Sequence, residues 1–341
     1  MDSGSIKQNY DLLDLTKFIL SMMIIAIHSS LFTMYLYPWL RIAIPLFFTI
    51  SSYLFFSKIR KCESNQAKTE GLKKFVWKNL RLWIIWSLIL LPIVLFIRRG
   101  YYDDGFIGFV MFFKSILFGD TFVGGWFIIA LVEGVAIVYF LSRKIKAPLL
   151  LIISLLLNLI AVVDSSYIHL ISKGSIVFKA FKAFGYYVTG PDCSVFSGML
   201  WIAVGKLFAD GNIKIRMKWS VLITLISALG LYIEWRALYN LTGLHRNDCY
   251  LFLIPLCISL FGIIEHFKAV RIPNAMLLRK ASIIIYVTHG AAITVISFLL
   301  KQIFEDANSL IVFLLVLAAC ICLTLIINRL EKRFKWMKNL Y

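Results

Sequence analysis

Apolar residues gather in long runs along the chain, and the charged residues form short clusters between these runs. Several runs reach about 20 residues, the length that crosses the hydrocarbon core of a bilayer as a helix. Backbone groups in lipid have to be satisfied within their own segment, so these runs are predicted to be helices. We therefore predict an all-α fold, a polytopic membrane helix bundle of about ten transmembrane helices. The predicted spans are 12–36, 39–57, 79–98, 124–142, 147–163, 192–209, 218–239, 248–267, 281–301 and 308–329.

Charge gives this bundle a direction. The net charge of +18 is also compatible with nucleic-acid binding, but the basic residues sit at the ends of the apolar runs. If the N-terminus is placed inside, 24 of the 36 Lys and Arg residues flank the inner ends of the spans and 10 lie outside. By the positive-inside rule we predict a plasma-membrane protein with both termini cytoplasmic and no nucleic-acid partner. The polar N-terminus precedes a run long enough to span, so the first helix is expected to serve as the insertion signal. Residues 1–341 are predicted to form one transmembrane domain with a short basic tail, 330–341.

Two predicted outer segments are long. Residues 99–123 contain an apolar stretch, 106–118, that is too short to span and predicts an interfacial or re-entrant helix. Residues 171–184 alternate apolar and basic side chains, which predicts an amphipathic cap on the outer surface. Cys193 and Cys249 fall at outer helix ends, where a disulfide is possible, and the six cysteines show no metal-binding spacing. We expect no metal site.

The first span carries the strongest chemical signal. Asp14, Lys17, Ser21 and His28 fall within about 60° of one another on a helix, and ionisable groups inside a span are usually functional. Asp14 and Lys17 are separated by three residues and can pair. His28 lies about three turns above Lys17, where a neutral imidazole can accept a proton from a hydroxyl nucleophile. The alternative is structural: His28 makes one interhelical hydrogen bond and Lys17 snorkels to the inner interface.

Several motifs, in this order, resemble the acyltransferase family 3 membrane proteins, which move acyl groups onto surface sugars and lipids. The first span is similar to the family's opening helix, where Asp is followed by Arg and, after ten residues, by His; Lys17 stands at the Arg position and keeps the charge without the bidentate fork. The other matching stretches are 45–56, 78–81, 126–133 and 282–289. Residues 246–255 look more like the branch that contains the membrane domain of vancomycin-resistance serine racemases.

The resemblance implies an enzyme that transfers an acyl group, usually acetyl, from cytoplasmic acyl-CoA to a hydroxyl of a surface glycan or lipid-linked acceptor. His28, Lys17 and Asp14 are then the catalytic candidates. Lys78 and Arg81 suit the phosphates of acyl-CoA, although ordinary positive-inside charge explains them as well. Acyl-CoA is expected as co-substrate, with no bound cofactor, and oligomeric state is left open.

Four further residues have two interpretations each. Glu133 lies within a span, where it orients His28 or makes a structural hydrogen bond, and His289 is either a site residue or a packing residue. Arg246 and Asp248, at an outer helix start, fit a capped salt bridge or acceptor binding. The same buried polar groups are also compatible with a transporter or exporter of a small polar solute such as serine, or of polysaccharide. The lack of a recognisable internal repeat argues against that alternative.

Overall fold

The computed structural model describes residues 10–31, 36–97, 105–244, 247–304 and 308–341, and its regular elements in these ranges are helices. The α-helices are α1 (Asp11–His28), α2 (Tyr37–Leu40), α3 (Ala43–Ile59), α4 (Asn65–Ile97), α5 (Gly105–Leu117), α6 (Gly125–Leu141), α7 (Ala147–Val162), α8 (Ile176–Tyr187), α9 (Val195–Asp210), α10 (Met217–Thr242), α11 (Leu253–His266), α12 (Ala275–Lys301) and α13 (Ser309–Leu330). A π-helical turn, Val163–Tyr167, continues α7, and short 3₁₀ segments follow it and close the chain.

Six helical segments in the described parts of the chain are long and apolar enough to cross a membrane. They are Tyr37–Ile59, Asn65–Phe96, Ala147–Leu170, Met217–Thr242, Ala275–Lys301 and Ser309–Leu330. The helices α5, α6 and α11 are apolar but shorter, and α1 carries three charged side chains, Asp11, Asp14 and Lys17. The prediction of an all-α, multi-pass membrane protein is therefore confirmed, whereas the count of ten spans stays a prediction.

Each predicted span overlaps a helix, but several boundaries differ. The first helix ends at His28 rather than at 36, and residues 32–35 lie outside the described ranges. The fourth helix begins at Asn65, far before the predicted start at 79, because a Lys-rich amphipathic segment precedes its apolar part. The predicted span 248–267 is helical only from Leu253.

The centre of the bundle is formed by α3 and α9, which approach closely along much of their length. A Cβ on Gly198 would lie 2.9 Å from the ring of Phe48, and one on Gly205 would collide with the Thr49 carbonyl. At the far end the Arg60 guanidinium donates to the Ala209 carbonyl at 2.6 Å. The contacts follow the same chain order on both helices, so α3 and α9 run in the same direction.

A second pair, α1 and α12, packs beside this centre and is covered by α13. Ile25 of α1, Ile285 of α12 and Val316 of α13 are fully buried in one cluster. Because α1 and α12 carry Asp14, Lys17, His28 and His289, their packing decides which of these residues meet.

The two short helices predicted outside the spans are present as α5 and α8. They contact each other, since the Lys114 ammonium donates to the Gly185 carbonyl at 3.0 Å. No residue of α8 is buried, as expected of a helix that lies on a surface. The thiols of Cys193 and Cys249 are both free, so the possible disulfide is not formed.

Candidate active site

Two histidines meet at the interface of α1 and α12. The imidazole rings of His28 and His289 lie with their centroids 5.0 Å apart and their planes inclined by 42°. His28 is the last residue of α1 and its side chain is exposed, whereas His289 is fully buried. One ring is therefore accessible to a reactant, and the other is fixed in the protein directly behind it.

The protonation state of His289 can be inferred from its hydrogen bonds. Its Nδ1 lies 2.7 Å from the Tyr286 carbonyl oxygen, which can only accept, so Nδ1 carries the proton. The other nitrogen, Nε2, is buried and has no hydrogen-bond partner among the described residues. His289 thus places an unshared electron pair inside the protein next to His28.

The start of α6 closes this site from one side. The Tyr286 hydroxyl donates to the Gly124 carbonyl at 2.7 Å. Gly124 has a positive φ of 85°, and a Cβ there would lie 3.0 Å from the Tyr286 oxygen and 3.6 Å from Cε1 of His289. A glycine is required at this position because both its backbone conformation and the available space exclude a side chain.

At the opposite end of the same helix pair, Asp14 is held by Arg279. The guanidinium of Arg279 donates from Nε to Oδ1 at 2.9 Å and from Nη2 to Oδ2 at 2.7 Å, a bidentate fork. Asp14 therefore forms its hydrogen bonds with a residue of α12, and the possible pairing with Lys17 is an additional electrostatic interaction. Asp14 meets Arg279 at the helix starts and His28 meets His289 further along, so α1 and α12 run in the same direction.

Basic residues cluster around this fork. The ammonium group of Lys17 interacts electrostatically with Asp14, Arg279 and Lys78, and that of Lys78 with Arg279, Arg81 and Lys58. The Nε of Arg81 is buried without a hydrogen-bond partner in the described part of the chain. The structure thus brings together Lys17 of α1 with Lys78 and Arg81 of α4.

The remaining candidates lie elsewhere. Glu133 is exposed on the face of α6 that also carries Ile137 and Phe140, a position that lends no support to a role in orienting His28. Asp248 forms an ion pair with Arg41 at 2.5 Å. It does not cap a helix, because α11 starts only at Leu253. Arg246 lies outside the described residues.

Sequence reasoning missed three polar residues that organise the site and its surroundings. They are Arg279, which was counted only as an inner basic charge, Glu234 and Asn158. Glu234 is buried in α10, accepts from the Tyr167 hydroxyl at 2.6 Å and from the Leu251 and Phe252 amides at 2.7 and 2.9 Å, and so holds the segment before α11. Glu234 could have been identified from the sequence, since it is an ionisable residue inside an apolar run.

Comparisons with known proteins show the family of the chain. A family model described as an acyltransferase domain matches residues 10–329. A serine/alanine racemase of Enterococcus gallinarum is 26% identical over 344 residues, which cover 96% of this chain and 47% of the relative. An amino-acid racemase of Enterococcus faecalis is 22% identical over 276 residues, covering 77% of this chain and 37% of the relative. The chain thus spans less than half the length of these curated relatives. No solved structure matches it.

Proposed function

Because the chain belongs to the acyltransferase family whose model spans residues 10–329, we propose that it moves an acyl group from acyl-CoA to an acceptor hydroxyl. The observation that carries the proposal is the contact between His28 and His289, an exposed imidazole backed by a buried one with a free electron pair. General bases of hydroxyl nucleophiles are most often histidines. More specifically, we propose acetyl-CoA as the acyl donor and a surface glycan or lipid-linked sugar as the acceptor.

The proposed reaction is a direct transfer. His28 takes the proton of the acceptor hydroxyl while the oxygen attacks the thioester carbonyl, and the carbon–sulfur bond then breaks. The protonated His28 then gives that proton to the leaving thiolate of CoA, so His28 is regenerated and the products are the acyl ester and free CoA. His289 acts as a positioning residue, because its buried ring packs against the ring of His28.

The donor is proposed to enter at the opposite end of the helix pair. Lys17, Lys78 and Arg81 offer positive charge to the phosphates of acyl-CoA, and the Asp14–Arg279 fork fixes the helix that carries Lys17. The eleven residues between Lys17 and His28 correspond to about 16 Å along the helix. An extended acyl arm can bridge such a distance, so phosphates and thioester would occupy the two ends of α1.

The direction of the bundle follows from this placement. We propose that the chain is a single domain of ten spans in the plasma membrane. Both of its termini would then lie in the cytoplasm. Two observations support it: 24 of 36 basic residues flank the proposed inner ends, and α1 and α12 run in the same direction. As the first and ninth spans of an alternating bundle, these two helices have to be parallel. The donor cluster then faces the cytosol, where acyl-CoA is found.

The test is acyl transfer by inverted membrane vesicles supplied with radiolabelled acetyl-CoA, with label counted in the glycan and lipid fractions. His28→Ala should lower the incorporation by roughly 10²–10⁴-fold, the usual effect of removing a general base. The thermal midpoint of the purified variant should stay unchanged, because the His28 side chain is exposed. Added imidazole should restore part of the transfer, which a purely structural role does not predict.

His169→Ala is the matched control, because His169 is an exposed imidazole in a segment outside the site. It should retain full transfer. Binding of acetyl-CoA to the purified protein, measured by calorimetry, should weaken in Lys17→Ala and Arg81→Ala and persist in His28→Ala. Full transfer by His28→Ala, or no donor binding at millimolar acetyl-CoA, would contradict the proposal.

The names of the relatives support a second candidate function. Two relatives are named racemases acting on serine, alanine or amino acids in general, which favours a role of this membrane domain in amino-acid supply, such as serine export or uptake. Vesicles that accumulate labelled serine, with transport lost in His28→Ala and no transfer from acetyl-CoA, would favour this function. Acyl transfer without serine flux would favour the enzyme.

A further inference from the structure

A polar pocket lies on the side of the bundle where α3 and α9 begin. It encloses about 480 Å³ including its open mouth, and its lining includes Arg41, Asn158, Asp192 and Asp248 together with Trp126 and Trp201. None of the steps proposed above uses these residues. The pocket combines charged groups, an amide and two large aromatic rings, a lining typical of sites for small polar ligands.

The pocket is adjacent to the histidine pair. Trp126 follows Gly124 by two residues, and Gly124 accepts the Tyr286 hydrogen bond and faces His289. The thiol of Cys193, which neighbours Asp192 in the chain, interacts electrostatically with Tyr286. A ligand in the pocket would therefore reach towards His28 from the side opposite the basic cluster, which is where an acyl acceptor has to arrive.

Negative charge is in excess in the pocket. Arg41 neutralises Asp248 through their 2.5 Å ion pair. Asp192 is different: the charges that act on it most strongly are those of Asp248 and Asp164, both negative. Burial and these two carboxylates raise the pKa of Asp192 to about 7. A cation placed beside Asp192 would remove this unfavourable arrangement.

A buried hydrogen-bond acceptor in the pocket lining also favours a ligand that carries hydrogen-bond donors. The Asn158 side chain is 2% exposed, and its Nδ2 donates to the Ser197 carbonyl at 3.0 Å. This bond identifies the other atom as Oδ1, which is buried and has no hydrogen-bond partner within the described ranges. Leaving a buried acceptor unsatisfied is costly, so Oδ1 requires a donor from a ligand or a water molecule.

From the carboxylate of Asp192 and the free Oδ1 of Asn158 in one aromatic pocket, we infer that this site binds a primary ammonium group carried by the acyl acceptor. An ammonium group supplies three donors and no acceptor, and tryptophan faces attract it as well. The inference rests on the proposed acyl transfer and narrows the acceptor to a hydroxyl compound that also carries a primary amine, such as an amino alcohol or an amino sugar.

A divalent metal ion fits the same residues less well. Asp192, Cys193 and Asp248 place their ligand atoms within 4.8 Å of one another. However, Arg41 already occupies Asp248, so a dication would lie beside a guanidinium. Burial and the neighbouring aspartates also raise the pKa of the Cys193 thiol well above its usual range, whereas the thiolate is the form that binds metals.

The probe is ethanolamine, compared with ethylene glycol, a neutral diol of the same size. Added to the purified full chain in detergent at pH 8, ethanolamine should raise the thermal midpoint in a saturable way, and ethylene glycol should not. Asp192→Asn should weaken the apparent affinity at least tenfold. Glu63→Gln, which changes an exposed carboxylate between α3 and α4 outside the pocket lining, should leave it unchanged.

Affinity should also fall as the pH drops from 8 to 5.5, because protonated Asp192 no longer attracts a cation. The charged and titratable groups facing Asp192 are Asp248, Asp164, Arg41, Cys193 and Cys249; Asp192→Asn should therefore lose most of the pH dependence if Asp192 is the responsible group. A pH dependence that survives in Asp192→Asn would contradict this assignment.

Three further results would overturn the inference. They are equal stabilisation by ethylene glycol, unchanged ethanolamine affinity in Asp192→Asn, and stabilisation by ZnCl₂ or MnCl₂ instead of ethanolamine that disappears in the same variant. The last would make the pocket a metal site. A failure of this inference can be distinguished from a failure of the proposed function. His28 lies outside the pocket, so the His28→Ala variant should still bind ethanolamine even if no acyl transfer is found.

Discussion

The fork between Asp14 and Arg279 joins two side chains that differ greatly in their access to solvent. The Asp14 side chain is 2% exposed, whereas that of Arg279 is 52% exposed. If Asp14 is neutralised, the guanidinium can turn to solvent. If Arg279 is removed, the buried carboxylate loses both hydrogen bonds of the fork and keeps only its electrostatic interaction with Lys17, and a poorly compensated buried charge is more costly than a missing partner at the surface.

We therefore expect Arg279→Ala to lower the free energy of unfolding by about 3 kcal/mol and Asp14→Asn by only about 1 kcal/mol. The measurement is thermal unfolding of the detergent-purified variants, followed by tryptophan fluorescence. The double variant Asp14→Asn with Arg279→Ala should be more stable than Arg279→Ala alone, because the stranded charge is gone. Equal losses in the two single variants would show that the fork does not hold a buried carboxylate.

The same residues show what could be predicted from the sequence at this scale. Helical spacing identified Asp14, Lys17 and His28 as one polar face, and the structure keeps them on α1. Spacing also offered Lys17 as the partner of Asp14, because only neighbours on the same helix are visible in a local pattern. The actual partner, Arg279, is 265 residues away, and the contact of His28 with His289 likewise depends on how α1 and α12 pack.

The helices α3 and α9 pack closely against each other, and glycine makes this contact possible. A Cβ on Gly205 would collide with the Thr49 carbonyl and the Ser52 hydroxyl and would lie 2.9 Å from the Tyr53 nitrogen. Two of these obstacles are backbone atoms of α3, which cannot move aside as the end of a flexible side chain can. Small residues at such crossings are a common device of membrane helices.

Gly205→Val should therefore separate α3 from α9 and yield protein that aggregates or unfolds well below the wild-type midpoint. Fluorescence-detected size-exclusion chromatography of detergent extracts measures this as loss of the monodisperse peak. Gly185→Val is the matched control, because a Cβ on Gly185 of the surface helix α8 meets nothing within 4 Å. Its peak should remain. A monodisperse Gly205→Val protein would mean that the two helices are less tightly packed than described.

Helix positions were predictable from hydropathy, but their ends were less so. The apolar part of α4 was recognised, while the preceding segment from Asn65, rich in lysine, was missed because a hydropathy pattern detects burial in lipid rather than helicity. The amphipathic helix α8 was recognised from its alternation of apolar and basic residues. The crossing at Gly205 could not be predicted, because a single glycine in an apolar run does not reveal which helix approaches it.

At the scale of the whole molecule, the proposed reaction depends on orientation. The basic cluster at Lys17, Lys78 and Arg81 can serve a cytosolic donor only if the start of α1 faces the cytosol. The pocket at Asp192 can receive an acceptor from the other side only under the same condition. The pocket lies next to the histidine pair and the basic cluster lies at the opposite end of α1, so a single orientation assigns donor and acceptor to different compartments.

This orientation can be measured by thiol labelling of intact cells that express variants with a single cysteine, which is either the native Cys62 or a cysteine introduced into a chain whose six native cysteines are replaced. A cysteine at Ser172→Cys, exposed in the segment before α8, should react with a membrane-impermeant maleimide added outside. Cys62, between α3 and α4, and Lys335→Cys, in the basic tail, should react only after the membrane is permeabilised, because the positive-inside rule places these Lys-rich segments in the cytosol. Monodisperse chromatography of each variant is the control for folding. Labelling of Cys62 in intact cells would show that the bundle has the opposite orientation. The proposed phosphate-binding cluster would then lie on the outer side of the membrane, which holds no acyl-CoA.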